Sequence, residues 1–241
     1  MKRRLLLLFY FPYKWLIFVP YAVISTLFFG FSAIILAPLA GQRIAGFFCG
    51  ALWARLLGVF TPIFVKVRGR ENIDRKQSYV IVANHQSFYD IVLVYGWLGI
   101  DIRWVMKQEL RKIPGLGIGS EKVGHIFIDR SSAKAALTSM EATKKKIVNG
   151  TSVIFFPEGT RSNTGELGTF KRGAFKMAYD LGLPILPLSI SGTRNILPNN
   201  TIQLLPGRAK LVIHPPIDIS KYPANDMTQL IEDTKRVISE K

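Results

Sequence analysis

A histidine and an aspartate five positions apart form the strongest candidate for chemistry in the sequence. His85 and Asp90 follow the apolar run Tyr79–Val82. On one helix this separation leaves two side chains roughly 140° apart, so they meet only if His85 lies in a strand-to-helix turn and Asp90 on the following helix. A carboxylate on one imidazole nitrogen fixes the tautomer and leaves the other nitrogen as a base near neutral pH. Because no Gly-x-Ser-x-Gly elbow surrounds Ser87, the pair predicts direct activation of a substrate hydroxyl.

The same segment allows a purely structural interpretation, in which Asn84 and Asp90 cap the helix and His85 is a packed polar residue. The two interpretations differ in what Asp90→Asn does. In a catalytic pair, an amide N–H facing the imidazole would trap the wrong tautomer, and turnover would fall severely. An asparagine is an equally good cap, so the structural interpretation predicts a nearly silent change.

Three cations follow other strand-like runs and could meet at the same edge of a sheet. They are Lys107, Arg130 and Arg161, after the runs Ile102–Met106, His125–Ile128 and Val153–Phe156. Glu158 and Gly159 stand just before Arg161. A glycine lets the backbone approach a ligand, and an arginine offers a planar fork to phosphate oxygens. Ligand sites in open α/β sheets lie past the carboxyl ends of the strands, so these residues predict a phosphate pocket beside the base.

The elements that position these residues alternate between strand and helix from about residue 61 onward. Helices are predicted from a cap at Ser131 or Ser132 to Asn149, over Lys171–Leu181, and from a cap at Asn225 or Asp226 to the C-terminus. This alternation predicts one α/β domain over residues 61–241, with a largely parallel sheet flanked by helices. The predicted strands are Ile63–Val67, Tyr79–Val82, Ile102–Met106, His125–Ile128, Val153–Phe156, Ile185–Ile190 and Ala209–Ile213.

Residues 1–60 differ sharply in composition from the rest of the chain. No acidic residue precedes Glu71, and no charged residue occurs from Trp15 to Gln42, a stretch longer than the roughly 20 residues that cross a bilayer. A second apolar stretch is interrupted only by Arg55. Pro38 and Gly41 can turn the chain between them, which favours a membrane-embedded two-helix hairpin over a single span. A cleaved signal peptide fits poorly, because its apolar region would be far shorter.

The overall composition excludes several classes of protein. The formal net charge is +16 and 49% of residues are hydrophobic, with a mean hydropathy of +0.22. Disordered chains combine high charge with low hydrophobicity, and a nucleic-acid binder would carry its charge on a more polar surface. The combination suits an anionic membrane surface. One cysteine and three scattered histidines predict no metal site and no internal disulfide; His125 and His214 are expected to be packed rather than catalytic.

Four motifs in order resemble the 1-acylglycerol-3-phosphate acyltransferases, over roughly residues 60–215. The first, Asn-His-x4-Asp, corresponds to Asn84, His85 and Asp90. The second ends at Phe127–Arg130, and the third, Phe-Pro-Glu-Gly-Thr-Arg-Ser, is matched in full by Phe156–Ser162. A Lys-x-Glu-Leu segment begins at Lys107. The fourth is a hydrophobic strand with proline over residues 185–193, where Ser189 replaces a commonly apolar residue.

The resemblance implies an activity and roles for these residues. His85, oriented by Asp90, would deprotonate the free hydroxyl of lysophosphatidic acid, which attacks an acyl thioester to give phosphatidic acid. The acceptor would be held by a set of binding residues. No cofactor is expected beyond the acyl donor, acyl-CoA or acyl carrier protein. The expected binding residues are Lys107, Arg130, Glu158, Gly159, Thr160 and Arg161.

The resemblance also implies a place for the chain and leaves two alternatives open. The hairpin would hold it at a phospholipid membrane with the catalytic domain on the cytoplasmic face, as expected for a bacterial inner membrane, and no nucleic acid is expected as a partner. Within enzymes, the acceptor could be another lysolipid or glycerol phosphate. A non-enzymatic cationic membrane-binding protein is the alternative from another class, and it would need neither the His–Asp pair nor the Glu-Gly-Thr-Arg loop.

Overall fold

A seven-stranded sheet covered by helices forms the part of the chain that follows the hairpin. The computed structural model describes residues 2–129 and 149–240, together with residues 141, 144 and 147. Each predicted strand run overlaps one observed strand, with ends that differ by up to two residues. The strands are β1 Ile63–Arg68, β2 Val80–Ala83, β3 Ile102–Lys107, β4 Ile126–Ile128, β5 Ser152–Phe155, β6 Ile185–Ser191 and β7 Gly207–Ile213.

Parallel pairing dominates the sheet, as the sequence predicts. The strand order is β1-β7-β6-β2-β5-β3-β4. The five strands from β6 to β4 are mutually parallel, whereas β7 pairs antiparallel with β6 and carries a parallel β1 at the edge. Because β2, β5, β3 and β4 are parallel neighbours, their carboxyl ends meet at one edge of the sheet. All four strands of the central group end in segments that carry candidate site residues.

The pattern of side chains explains which strands are central. Every residue of β2 is buried, as expected for a strand covered on both faces by helices. In the edge strand β1 half-buried and exposed positions alternate. Ile63, Val65 and Val67 pack on the hairpin side, so Phe64, Lys66 and Arg68 point to the opposite face.

The amino-terminal segment forms the predicted helical hairpin. Gly41, with φ of 88°, ends the first helix and separates it from the second. The two helices run antiparallel, because Tyr21 stacks on Phe60 with ring centroids 3.7 Å apart and Trp53 Nε1 donates to Thr26 Oγ1 at 3.2 Å. Their parts are α1 Lys2–Tyr13, a π turn Lys14–Phe18, α2 Val19–Ala40, α3 Gln42–Ala45, a π turn Gly46–Ala51 and α4 Leu52–Phe60.

The remaining helices flank the sheet. α5 Tyr89–Trp97 follows β2 and lies beneath the hairpin, and helix α7 begins at Gly173, two residues after the predicted start. Most of the helix predicted from Ser131 or Ser132 to Asn149 lies outside the described residues. The other helices are α6 Leu116–Lys122, α7 Gly173–Leu181, α8 Thr193–Ile196 and α9 Thr228–Ser239.

The hairpin shares its core with the sheet. Phe18, Ala54 and Leu57 belong to the same buried cluster as Ile81 of β2 and Leu93 of α5. Gly50 fits against Tyr95 so closely that an added Cβ would lie 2.0 Å from its hydroxyl oxygen. The end of the second helix at Phe60 coincides with the predicted boundary between residues 1–60 and 61–241, yet packing continues across it. The hairpin is therefore built into the fold rather than appended to it.

The outer surface of the hairpin is apolar. The stretches Leu8–Ala40 and Gln42–Phe60 are both long and apolar enough to cross a membrane, and only 17% and 33% of their most hydrophobic windows are buried. Along α2 an exposed stripe repeats at helical spacing. Its members are Ile24, Phe28, Phe31 and Ile35, which are 54–66% exposed. A stripe of this size needs a covering apolar environment.

Ser189, the departure from an apolar strand, has a structural explanation. Its hydroxyl donates to the carbonyl of Ile238 in α9, at 2.7 Å, and so accepts from His214 Nε2, also at 2.7 Å. Burial lowers the pKa of His214, which favours a neutral imidazole with its proton on Nε2. The buried serine and histidine therefore tie the last helix to the sheet, in agreement with the prediction that His214 is packed rather than catalytic.

Candidate active site

His85 and Asp90 meet as the spacing predicts. His85 lies in the turn between β2 and α5, and Asp90 is the second residue of α5. The distance from His85 Nδ1 to Asp90 Oδ2 is 2.8 Å, with the histidine side chain 14% exposed and the carboxylate fully buried. The strand–turn–helix arrangement thus places a buried carboxylate behind an accessible imidazole.

One oxygen of Asp90 accepts three hydrogen bonds. Besides the imidazole, Asp90 Oδ2 accepts from the backbone N–H groups of Gln86, at 2.5 Å, and Ser87, at 2.8 Å. Asp90 Oδ2 therefore contacts the imidazole and also ties down the turn before α5. It does not cap the helix as the structural interpretation predicts, because both backbone donors precede α5. A carboxylate oxygen only accepts hydrogen bonds, so His85 donates to Asp90 Oδ2 and carries its proton on Nδ1.

The other imidazole nitrogen, Nε2, has no hydrogen-bond partner within the described part of the chain. The ring is held from the side by Phe156, which stacks on it with centroids 3.9 Å apart. The hydroxyl of Ser87 is already engaged, donating to the carbonyl of Leu197 at 2.6 Å. The free base of the site is thus His85 Nε2, and the nearby serine is a structural residue.

Hydrogen bonds join the loop after β5 to the turn that contains His85. Ser162 N donates to His85 O at 2.8 Å. Glu158 uses both carboxylate oxygens on backbone groups: Oε1 accepts from His85 N at 2.8 Å, and Oε2 accepts from Gly168 N at 3.0 Å. Glu158 therefore sets the relative position of the base and the loop; a direct contact between Glu158 and a substrate stays a prediction.

The cations of this edge have side chains free to meet a ligand. Lys107 ends β3 and Arg161 follows β5, and both side chains are exposed, without hydrogen bonds or ion pairs to other described residues. Thr160 is exposed and Gly159 has φ of 77°, a conformation that glycine adopts without strain. Arg130 lies outside the described residues.

The structure adds a cation that sequence reasoning missed. Lys171 follows the loop after β5, and its backbone N–H donates to Pro157 O at 2.9 Å. Its ammonium group lies over Gly159, only 2.6 Å from where a Cβ on that glycine would be. A side chain at residue 159 would collide with it. Nothing in the spacing indicates this contact, because the two residues are brought together by the return of the loop.

The arrangement combines one base with a cationic rim. Among the described residues no group of three His, Cys, Asp or Glu could hold a metal ion. A base with a free Nε2 can take a proton from a hydroxyl group, and Lys107, Arg161 and Lys171 offer charge-assisted hydrogen bonds to phosphate oxygens. The site is therefore suited to activate a hydroxyl on a molecule that also carries a phosphate group.

Comparison with known proteins places these features in a context. Residues 64–191 match the model of the acyltransferase family. The chloroplastic 1-acyl-sn-glycerol-3-phosphate acyltransferase BAT2 of Brassica napus is 34% identical over 176 residues, which are 72% of this chain and 51% of that protein. The 1-acyl-sn-glycerol-3-phosphate acyltransferase of Borreliella burgdorferi is 32% identical over 174 residues, 71% of this chain and 70% of that protein. The match spans about half the length of the plant relatives.

A solved structure resembles the whole fold. The crystal structure of the 1-acyl-sn-glycerophosphate (LPA) acyltransferase PlsC from Thermotoga maritima superposes with a TM-score of 0.80 and 29% sequence identity. The superposition covers 99% of this chain and 97% of the Thermotoga chain. The likeness therefore includes the helical hairpin as well as the sheet.

Proposed function

The chain belongs to the acyltransferase family, and from this premise we propose that it transfers a fatty acyl group from an acyl thioester to the free hydroxyl of lysophosphatidic acid. The product would be phosphatidic acid, an intermediate of phospholipid biosynthesis. The observation that carries the proposal is the His85–Asp90 pair, whose free Nε2 lies on the turn that is joined to the loop of residues 158–162, which carries Arg161. The names of the relatives at 31–34% identity support the choice of acceptor.

The mechanism begins with a proton transfer to His85. Nε2 takes the proton of the acceptor hydroxyl as its oxygen attacks the thioester carbonyl, and no covalent enzyme intermediate forms. The imidazolium that results is stabilised by the buried carboxylate of Asp90. When the tetrahedral intermediate collapses, the carbon–sulfur bond breaks and the imidazolium returns the proton to the leaving thiolate. The enzyme ends in its starting protonation state.

The acceptor phosphate is assigned to the cationic rim. Arg161 offers a bidentate fork and Lys107 a point charge. The ammonium group of Lys171 lies against Gly159 in the loop that carries Arg161. Arg130, Gly159 and Thr160 are assigned to the same task from the family motifs. Both acyl-CoA and acyl carrier protein are anionic donors that a cationic surface attracts. Activity assays with each donor distinguish between them.

The hairpin supports a place at the membrane. We assign its apolar outer surface to the bilayer and the sheet to the cytoplasmic side, with residues 1–60 as the anchor and residues 61–241 as the catalytic domain. The basic character of the first 70 residues, which contain nine Lys or Arg and no acid, fits the anionic cytoplasmic leaflet of a bacterial inner membrane. A lysolipid could then reach His85 without leaving the membrane surface.

The activity is tested with the purified full chain in vesicles. It is incubated with each of a panel of lysolipids and glycerol phosphate, combined with acyl-CoA or acyl carrier protein, and the products are identified by mass. We expect acylation of lysophosphatidic acid at the highest kcat/KM. Faster acylation of glycerol phosphate or another lysolipid would correct the acceptor, and no acylation by the wild-type chain with either donor would contradict the reaction.

Asp90→Asn is expected to have an intermediate effect, different from both sequence-based expectations. The amide oxygen will keep the Oδ2 position, because three donors converge there, and so the imidazole tautomer is preserved. The variant loses the negative charge that stabilises the imidazolium. We expect this loss to cost about 1–2 kcal/mol, which is the difference between a charged and a neutral hydrogen bond. We expect kcat to fall roughly 5- to 30-fold. Combining this change with His85→Ala should cause no further loss, because both act on one proton transfer.

Arg161→Lys separates acceptor binding from chemistry. The charge is kept but the bidentate geometry is lost, which should raise the acceptor KM about tenfold with little change in kcat. The matched control is Arg208→Lys, an exposed arginine on β7. Steady-state kinetics with lysophosphatidic acid decide the outcome, and an unchanged KM would remove Arg161 from the phosphate pocket.

A further inference from the structure

A cavity lies between the hairpin and the amino-terminal end of β3, away from His85. It encloses about 290 Å³ and is lined by three arginines from separate segments: Arg43 of α3, Arg55 of α4, and Arg75 of the loop before β2. Phe47 and Phe48 form the outer part of its wall. All three arginines are exposed, and like charges placed around one cavity favour the binding of an anion there.

No protein group supplies that anion within the described part of the chain. None of the three arginines forms a salt bridge there. The acid that lines the cavity, Asp101, is already occupied, because Oδ1 pairs with Arg103 and Oδ2 accepts from Thr151 Oγ1 at 2.9 Å. The three positive charges are therefore available to a ligand.

Two glycines line the cavity beside Arg55. Gly96 lies in the last turn of α5, and Gly99, with φ of 86°, follows the helix. An added Cβ at Gly96 would lie 3.3 Å from the Cγ and backbone N of Arg55. The Arg55 Nε donates to Gly96 O at 2.6 Å, which fixes one guanidinium at the wall. Packing against Gly96 and this hydrogen bond therefore fix the position of Arg55 at the cavity wall.

This cavity is distinct from the candidate active site. It borders Asp101 and Ile102, at the amino-terminal start of β3, whereas His85 follows the carboxyl end of the parallel strand β2. The six residues of β3 span roughly 20 Å at about 3.3 Å per residue. A ligand in the arginine cavity therefore cannot contact the reacting atoms at His85.

The surroundings indicate where the ligand comes from. The helical segment that supplies Arg43 and Arg55 also exposes Ile44, Phe47 and Phe48, which are 47–53% exposed. These residues continue the apolar outer surface of the hairpin, so the cavity opens beside the surface that we assign to the bilayer. A ligand with a phosphate group and acyl chains would match both the arginines and the aromatic rim.

We propose that the arginine cavity binds the phosphate headgroup of an anionic membrane phospholipid, as a site separate from the active site. The arginines take the phosphate oxygens through charge-assisted hydrogen bonds, and the acyl chains lie along Phe47 and Phe48. Bound lipid then fixes the rotation of the hairpin in the bilayer. The proposal rests on the membrane placement of the hairpin given above and requires no catalytic activity.

The test measures vesicle binding of the purified full chain by flotation. Two kinds of vesicle are used, phosphatidylcholine alone and phosphatidylcholine with a minor share of phosphatidic acid. Arg43→Gln/Arg55→Gln/Arg75→Gln is compared with Lys66→Gln/Arg68→Gln/Arg208→Gln, which removes the same charge from the sheet face that points away from the hairpin. Because Arg55 bonds to the backbone, Arg43→Gln/Arg75→Gln serves as the milder variant.

We expect the cavity triple to lose about tenfold or more of the affinity gained from phosphatidic acid, the double to lose part of it, and the control triple to lose less than about twofold. Binding to neutral vesicles should be equal in all variants. Equal losses in the two triple variants would show that the attraction depends on overall charge and would contradict a specific site.

Saturable binding of inorganic phosphate that disappears in the cavity triple variant, with unchanged vesicle binding, would contradict the lipid as the ligand. If the wild-type chain binds neither kind of vesicle, the assignment of the hairpin as a membrane anchor is contradicted.

Discussion

Replacement of His85 by alanine is expected to lower kcat about 10²- to 10⁴-fold, the typical contribution of a general base. His85 Nε2 is the free base of the site, and Ser87, the neighbouring hydroxyl, already donates to Leu197 O. The KM for the acyl donor should change little, because the imidazole is assigned to proton transfer rather than binding. Single-turnover measurements at saturating donor give the chemical step directly.

His85→Asn is the control that separates chemistry from structure. An asparagine can still donate to Asp90 Oδ2, so it preserves the contact of the turn without offering a base at the Nε2 position. We expect it to be as inactive as the alanine variant while unfolding at a temperature close to that of the wild type. Turnover above one-tenth of the wild-type value in His85→Asn would contradict the assignment of His85 as the base.

Phe28→Glu/Phe31→Glu is expected to release the chain from membranes. Both rings are exposed, by 63% and 54%, on the apolar stripe of α2. A carboxylate in a bilayer core costs about 2.5–3.5 kcal/mol on insertion scales, so two of them should lower membrane partitioning by at least about a hundredfold. Sedimentation at high salt measures the effect without the electrostatic part of the attachment.

The control for this prediction adds the same charge elsewhere. Phe64→Glu/Gln229→Glu places two carboxylates at exposed positions on β1 and α9, and we expect it to remain in the membrane pellet. Deletion of residues 1–60 is a poorer test, because Ala54 and Leu57 belong to the core of the sheet. If the Phe28→Glu/Phe31→Glu variant still pellets fully while remaining folded, this stripe does not face the bilayer.

The strands and the contact between His85 and Asp90 could be predicted because their signals are local. Runs such as Tyr79–Val82 combine β-branched residues with full burial, which is characteristic of a central parallel strand. The five-residue spacing of His85 and Asp90 allows only one arrangement in which they meet, a turn followed by a helix. Gly41 likewise marks the hairpin turn, because its positive φ ends a helix at little cost.

The detailed roles of the site residues depended on contacts between distant segments. The motif predicts that Glu158 binds the substrate. In the structure both of its carboxylate oxygens accept hydrogen bonds from backbone N–H groups, those of His85 and Gly168. Lys171 reaches Gly159 only because the loop after β5 folds back. The path of the turn also brings three donors to the same oxygen of Asp90, Oδ2. This arrangement changes the expected effect of Asp90→Asn.

The sequence by itself determined the fold class, the helical hairpin and the meeting of His85 with Asp90, because periodicity, chain-breaking residues and short spacings act over one or two elements. Only the tertiary structure decided that the hairpin completes the core, through Phe18, Ala54 and Leu57, and that Arg43, Arg55 and Arg75 line one cavity. These arginines are separated along the chain and have no common period. Their meeting results from how the second hairpin helix packs across α5, which depends on close contacts such as Gly50 with Tyr95 and has no signature in sequence spacing.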